Sequence, residues 1–193
     1  AAYKYANAGG IGDVGYVQIG NVSLGSINNT TAITNYAANA ATIYRNTPTG
    51  YNKYNLSTNV NTGSSYTLNT TYRDLAPGVN YNSGKIATWV DWNEDGDFAD
   101  ANEYIGVSAN STSGNQIMSF SIDVPLGVSA GIKRLRVRSF LSDDIVSSSN
   151  YDTTYEYGET EDYNLVVNPT LQVTEAYSGA SYANGLHYIN YNS

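Results

Sequence analysis

The stretch QIMSFSIDV, residues Gln116–Val124, decides the fold class. From Met118 to Val124 apolar side chains occupy every second position, and Ser or Asp fills the positions between them. Successive side chains of a β-strand point to opposite faces of a sheet, so this alternation is typical of a strand with one buried face. Pro125 follows directly and should end the strand, because proline has no N–H to donate to a sheet.

Other stretches share this two-residue period, and clusters of Gly, Asn, Asp and Ser separate them. No window of 11 residues has apolar residues at helical spacing. The sequence therefore predicts an all-β fold, an antiparallel β-sandwich of the jelly-roll or immunoglobulin type. In one strand the pattern places Leu135 and Val137 toward the core and three arginines on the outward face. The further predicted strands are Tyr16–Leu24, Tyr66–Tyr72, Lys85–Trp92, Ile132–Phe140 and Tyr163–Val167.

The charge and composition of the chain exclude several classes of function. Its 193 residues carry 9 Lys and Arg against 17 Asp and Glu, too few basic residues to neutralise a run of phosphates, so we expect no nucleic-acid partner. No apolar run approaches the ~20 residues of a transmembrane helix, so we expect no membrane insertion. The chain has no Cys and one His, which leaves little material for a catalytic triad. We therefore expect a protein that is not an enzyme.

The sharpest motif is DWNEDGDFADANE, residues Asp91–Glu103. Oxygen-bearing side chains recur at every second position of its first half, and Gly96 lies between the last two. Ca²⁺ binds roughly six to eight oxygen ligands, and alternate side chains of a tight loop can turn inward around one ion. We predict that Ca²⁺ is the cofactor. The predicted ligands are Asp91, Asn93, Asp95, Asp97, Asp100 and Glu103.

The second half of this motif departs from an EF-hand. An EF-hand has Glu at position twelve, where this chain has Asn102, and the flanking stretches are strand-like rather than helical. The closing ligand is left open between Asp100 and Glu103. A solvated hairpin loop that binds no metal is the alternative interpretation. Mg²⁺ is disfavoured, because it demands octahedral geometry and retains its water ligands.

Three motifs occur in order along the chain, W-x-D-W-N-x-D-G-D-F-x-D-x-x-E (Trp89–Glu103), G-x-x-R-x-R-V-R (Gly131–Arg138) and G-E-x-E-D-Y (Gly158–Tyr163). Together they resemble the GEVED domain of secreted bacterial proteins, and the resemblance covers about residues 16–168. It implies a β-sandwich accessory domain of large extracellular proteins, with no catalytic activity. The letters of the family name fall on residues 158–162, with Thr160 in place of Val.

Two charged groups accompany the loop in these motifs. One is a ladder of arginines on a single strand face, and the other is an acidic cluster on the last strand. Arginine and carboxylate groups form bidentate pairs that could orient a loop. Alternatively, Glu159 or Asp162 reaches the calcium ion and the arginines balance the remaining charge. The residues are Arg134, Arg136 and Arg138 in the ladder, and Glu159, Glu161 and Asp162 in the cluster.

We divide the chain into an N-terminal extension, residues 1–15, the sandwich, residues 16–168, and a C-terminal β-hairpin extension, residues 169–193. The hairpin prediction rests on Asn184 and Gly185, which both tolerate the positive φ of a tight turn. A strand added to the open sheet edge of a neighbouring copy gives a head-to-tail contact. We therefore expect a homo-oligomer or polymer formed by strand addition, with residues 1–15 as a candidate donor strand.

The composition favours a protein that is secreted and located outside the cell or at the cell surface. The chain begins at Ala1 without an apolar leader, so we expect that a signal peptide was removed. Our functional hypothesis is a calcium-binding β-sandwich with a structural or adhesive role, such as a fibre subunit. The alternative is a carbohydrate-binding accessory module of a secreted hydrolase. Its partners would be surface glycans, because tyrosine rings can stack on sugars and the chain has 19 of them.

Overall fold

The structure is a computed structural model that describes residues 8–13, 17–31, 50–74, 84–112 and 114–169. Within these ranges the chain forms β-strands, connecting turns and a short 3₁₀ turn, Ser148–Tyr151. The strands are β1 (Ala8–Asp13), β2 (Val17–Leu24), β3 (Ile27–Thr30), β4 (Tyr51–Asn61), β5 (Ser65–Asp74), β6 (Gly84–Asp91), β7 (Tyr104–Val107), β8 (Asn115–Asp123), β9 (Gly131–Leu141), β10 (Tyr155–Tyr157) and β11 (Thr160–Asn168).

Most of these strands form two sheets that pack face to face. One sheet has four strands in the order β3-β2-β5-β8, and all its neighbouring strands are antiparallel. The other has five strands in the order β4-β11-β9-β6-β7. The predicted all-β sandwich is confirmed. One pair differs from the antiparallel expectation, since β4 and β11 run parallel. Side-chain alternation cannot reveal this, because it is the same for both strand directions.

The space between the two sheets holds the main hydrophobic core. Met118, Phe120 and Ile122 of β8 are buried there, whereas Ile117 on the opposite face of the same strand is 66% exposed. Strands β6, β9 and β11 of the facing sheet contribute the opposing apolar side chains. Each fully buried large side chain of this kind contributes about 1.5–3 kcal/mol to folding. The alternation that predicted the strand therefore also predicted which of its faces is buried.

A second, smaller apolar group, the outer-face cluster, covers the other side of the five-stranded sheet. The chain segment 142–155 crosses this face, where the Ser148 carbonyl accepts a hydrogen bond from Trp89 Nε1 at 3.0 Å. Arg136 and Arg138 point away from the main core as predicted, but this face is covered, and each is only 1% exposed. The cluster consists of Ala87, Trp89, Phe98 and Phe140, with Tyr104, Val146, Tyr151 and Tyr155 packed against it.

Strands β1 and β10 form a separate, two-stranded parallel sheet. β1 is the part of the predicted N-terminal extension that the structure describes. The predicted C-terminal hairpin lies outside the described residues, apart from Pro169. Among the residues that are described, no helix has the length and apolar character needed to cross a membrane.

Candidate metal centre

Three carboxylates converge on the loop that connects β6 to β7. The ligand oxygens of Asp95, Asp97 and Asp100 lie within 4.8 Å of one another. Asp95 and Asp100 are exposed and Asp97 is partly buried. Asn93 lies beside them and donates its side-chain amide to Asp100 Oδ2 at 2.7 Å and to Asp95 Oδ2 at 3.2 Å. Carboxylates this close repel one another unless a cation neutralises them, so this group can hold a hard metal ion.

The spacing of every second residue has a direct structural cause. A side-chain oxygen of Asn93 accepts the N–H of Asp95 at 3.0 Å, and Asp95 accepts the N–H of Asp97 at 3.1 Å. Asp97 in turn accepts the N–H of Ala99 at 2.8 Å. Asn and Asp side chains form such turns readily, because they reach the backbone two residues ahead. Gly96 has a φ of 97° and lets the chain curl between them.

The two outer members of the predicted ligand set are buried and hold the loop backbone. Asp91 accepts the N–H of Glu94 at 2.6 Å and the N–H of Gly96 at 3.1 Å. Glu103 accepts the N–H of Trp92 at 2.9 Å through one oxygen and the N–H of Asp100 at 3.3 Å through the other. The six predicted residues therefore separate into an inner group, Asp95, Asp97 and Asp100 with Asn93, and a backbone brace, Asp91 and Glu103.

The surroundings of these carboxyl groups shift their pKa values in opposite directions. The N–H of Asp97 is the main group that lowers the pKa of Asp95, which is fully exposed. Burial raises the pKa of Glu103 to about 7, against the opposing effect of the backbone N–H groups that it accepts. Asp95 thus remains an anion at neutral pH, as a calcium ligand must.

The loop is attached to β9 by two side-chain contacts. Glu94, with a φ of 65°, accepts a hydrogen bond from Lys133 Nζ at 2.5 Å. Lys133 is completely buried in β9 and also donates to Ser129. The Phe98 ring lies 4.7 Å from the Arg136 guanidinium carbon. Both attachments were missed in the sequence analysis, although the four basic residues of β9 offered a signal.

Arg136 is the member of the arginine ladder that pairs with the acidic cluster. Its Nε and Nη2 donate to the two oxygens of Asp162, each at 2.8 Å. The Tyr51 hydroxyl donates to the same carboxylate at 2.8 Å. Burial acts to lower the pKa of Arg136, but the hydrogen bond and charge of Asp162 raise it above the ordinary value. This bidentate pair joins β9 to β11 on the outer face.

Arg138 uses its guanidinium to hold the crossing segment. It donates to the hydroxyl of Thr160 at 2.9 Å, to the carbonyl of Thr153 at 2.8 Å and to the carbonyl of Asn150. Burial lowers its pKa to about 9, and the charge of Arg136 acts in the same direction. Arg134, the third member of the ladder, is also buried and lies opposite Asp91 and Asn164 in the sheet register.

Glu159 and Glu161 lie on the other side of β11 from Asp162. Glu159 accepts the N–H of Ile19 and the side-chain amide of Asn52, both at 3.1 Å, and Glu161 accepts the hydroxyl of Tyr163 at 2.6 Å. Burial raises the pKa of Glu159 to about 7, and burial together with the charge of Glu159 raises that of Glu161 well above its usual range. In the described part of the chain, Asp162 alone of the three forms an ion pair with the ladder.

Residues 85–166 match the GEVED domain family, which confirms the resemblance drawn from the three motifs. The matched stretch runs from β6 to β11 and includes both the loop and the arginine ladder. The predicted sandwich, residues 16–168, begins well before the matched stretch. No curated protein matches the chain.

Three solved structures are distantly similar to the chain. The CARDB domain of a Pyrococcus furiosus protein, crystallised in complex with di-metal ions, is 7% identical, with a TM-score of 0.39 over 79% of this chain and 86% of that one. The solution structure of that CARDB domain is 9% identical, with a TM-score of 0.35 over 56% and 84%. A family 123 glycoside hydrolase from Clostridium perfringens is 13% identical, with a TM-score of 0.36 over 63% of this chain and 23% of that one.

Proposed function

We propose that the protein is a non-catalytic, calcium-binding β-sandwich module that has a structural or adhesive role outside the cell. The observation that carries the proposal is the set of three carboxylates within 4.8 Å of one another on the β6–β7 loop. The brace formed by Asp91 and Glu103 supports it, because a ligand set that is already positioned binds a metal with less loss of conformational entropy.

Calcium is the metal that best suits this loop. The candidate ligands are all carboxylate or amide oxygens, and Ca²⁺ accepts such ligands in a flexible geometry at about 2.3–2.6 Å. The exposed side of the cluster also leaves room for water ligands. Bound calcium would remove the repulsion within the cluster and hold the ends of β6 and β7 together.

The test is a titration of metal-free protein with Ca²⁺ by calorimetry, combined with thermal melting. We expect one bound Ca²⁺, a melting temperature that falls on chelation and recovers on addition of Ca²⁺, and no such response in Asp95→Ala. Asp143→Ala is the matched control, since Asp143 is an exposed aspartate outside the loop. Wild-type protein that binds no calcium and melts identically with and without chelator would contradict the proposal.

Carbohydrate binding is the second candidate function, and one surface feature favours it. An open surface depression of about 400 Å³ lies beside the loop, between the start of β7 and the end of β8. A glycan array probed with the labelled protein separates this function from a purely structural one. Glycan binding that is lost in Asp123→Ala would support a carbohydrate-binding function, and an array without signal would contradict it. The lining residues are Asn102, Tyr104, Ile105, Ser121, Asp123 and Pro125.

We also propose that the protein is secreted and that its copies associate with one another. A module that joins other copies needs an accessible sheet edge, and β3, β4, β7 and β8 are the terminal strands of the two main sheets in the described part of the chain. The expected polymer by strand addition would use such an edge or that of the small β1–β10 sheet.

A further inference from the structure

β1 and β10 form a small sheet of their own, apart from the two main sheets. The two strands run parallel, with Ala8 opposite Tyr155 and Asp13 opposite Tyr157. Neither strand belongs to one of the main sheets, and β1 pairs with no other strand in the described part of the chain. An isolated pair of strands is only marginally stable in water. The pairing therefore depends on how well each strand is held by the rest of the protein.

β10 is anchored to the sandwich by contacts that do not involve β1. The Tyr155 hydroxyl donates to the carbonyl of Ile145 at 2.9 Å, and its ring meets Phe140 edge to face at 5.0 Å. The guanidinium of Arg138 lies 5.7 Å from the same ring. β10 also leads directly into β11, a central strand of the five-stranded sheet. Its edge consequently persists as a binding surface when β1 leaves.

The sequence of β1 is that of a weak strand. Its sequence is AGGIGD, and glycine weakens a strand because it loses the most conformational freedom on folding and offers no side chain to pack. Three residues, 14–16, connect it to β2. Val17, at the start of β2, is completely buried, and its carbonyl accepts a hydrogen bond from Ser139 Oγ at 3.2 Å. β1 can therefore separate from β10 while the sandwich stays intact.

We propose that β1 of one copy of the chain binds to the β10 edge of a second copy, in the register that it has within one chain. Exchange of this kind recreates every backbone pairing that it breaks. The balance between pairing within one chain and pairing between two chains therefore depends chiefly on protein concentration. Reciprocal exchange closes a dimer, whereas exchange in one direction gives a head-to-tail contact that repeats along a chain of molecules. The inference rests on the proposed structural role and names the surface through which copies join.

The absence of cysteine from the natural sequence makes a direct test available. Asp13→Cys and Tyr157→Cys are introduced on separate chains, mixed at high concentration, oxidised and separated on a non-reducing gel. The two positions are opposite one another in the β1–β10 register, within the reach of a disulfide. We expect a disulfide-linked heterodimer in the mixture at several times the amount of the homodimers that either variant forms alone.

Asp13→Cys mixed with Ser119→Cys is the control, because Ser119 is exposed on β8, the edge strand of the four-stranded sheet. Equal yields from both mixtures would overturn the proposal. So would a double variant, with both cysteines on one chain, that closes internally while the mixture of single variants gives no heterodimer. Calcium titration of the same proteins is a separate measurement. A failure of strand exchange therefore does not contradict calcium binding, and a failure of calcium binding does not contradict strand exchange.

A second variant covers the case in which Tyr157→Cys unfolds the protein. Ile11→Pro removes a backbone N–H in the middle of β1 and should prevent pairing in either chain. We expect it to abolish concentration-dependent association in analytical ultracentrifugation without changing the melting temperature of the sandwich by more than a few degrees. Unchanged association in Ile11→Pro would overturn the proposal.

Discussion

Asp91 and Asp95 have the same side chain but very different surroundings. Asp91 is completely buried and accepts two backbone N–H groups of the loop. Asp95 is exposed and lies in the inner group with Asp97 and Asp100. The spacing of the motif predicted that all of these residues belong to one loop. It could not separate them, because alternation places side chains on a common side without stating how deep each one lies.

Buried Glu161 is expected to make the stability of the protein depend on pH. Its pKa in the folded protein is raised, chiefly by burial. Below the pKa that it has in the unfolded chain, both states are protonated and the contribution to stability is fully present. As the pH rises further, the unfolded chain releases the proton and the folded protein keeps it. The free energy of unfolding therefore falls, by up to about 1.4 kcal/mol per pH unit.

Glu161→Gln cannot titrate, so we expect its stability to fall less steeply than that of the wild type as the pH rises from 5 to 7. Urea denaturation at closely spaced pH values measures this difference. The exposed Asp143 supplies the control, Asp143→Asn, which should follow the wild-type slope. Parallel curves for Glu161→Gln and the wild type would show that Glu161 ionises normally in the folded protein.

The segment 142–155 is the element that the sequence analysis described least well. Its carbonyls accept hydrogen bonds from Trp89, Arg136 and Arg138 of the sheet beneath. No periodic pattern signals such an arrangement, because the acceptors are backbone atoms that every residue has. The sequence places the arginines on one face of a strand. Only the fold shows that the segment 142–155 covers this face.

Phe98 connects the loop to this segment, so its substitution tests how much this contact stabilises the fold. Its ring is 1% exposed and lies between the Arg136 guanidinium, at 4.7 Å, and the Tyr151 ring, at 5.7 Å. We expect Phe98→Ala to lower the free energy of unfolding by about 3–5 kcal/mol in metal-free protein, since a large buried ring is lost. Chemical denaturation measures the effect.

Ile117→Ala is the control for this substitution, because Ile117 is 66% exposed and its loss should cost little. A loss of stability in Phe98→Ala that is no larger than that in Ile117→Ala would mean that the outer-face cluster does not stabilise the fold. A large loss would show that the loop is part of the folded core of the domain before any metal binds.

At the scale of the whole molecule, local patterns predicted the type of fold and the position of the candidate metal loop. The strands, their buried faces and the GEVED motifs all follow from short-range spacing, which a single sequence displays. The parallel pairing of β4 with β11 and the separate β1–β10 sheet depend on segments far apart in the chain. Such pairings are set by packing of the whole domain, so no local spacing reveals them.

The hydrogen bonds from Arg138 to the backbone of residues 150 and 153 have a consequence for engineering. A stretch with little regular structure looks replaceable, and a designer who wanted to insert a tag or a peptide epitope would choose it first. Here its carbonyls satisfy a cation that has no access to solvent. A graft that shortens or redirects this stretch would leave the guanidinium of Arg138 buried without its acceptors, so we expect insertions there to destabilise the sandwich.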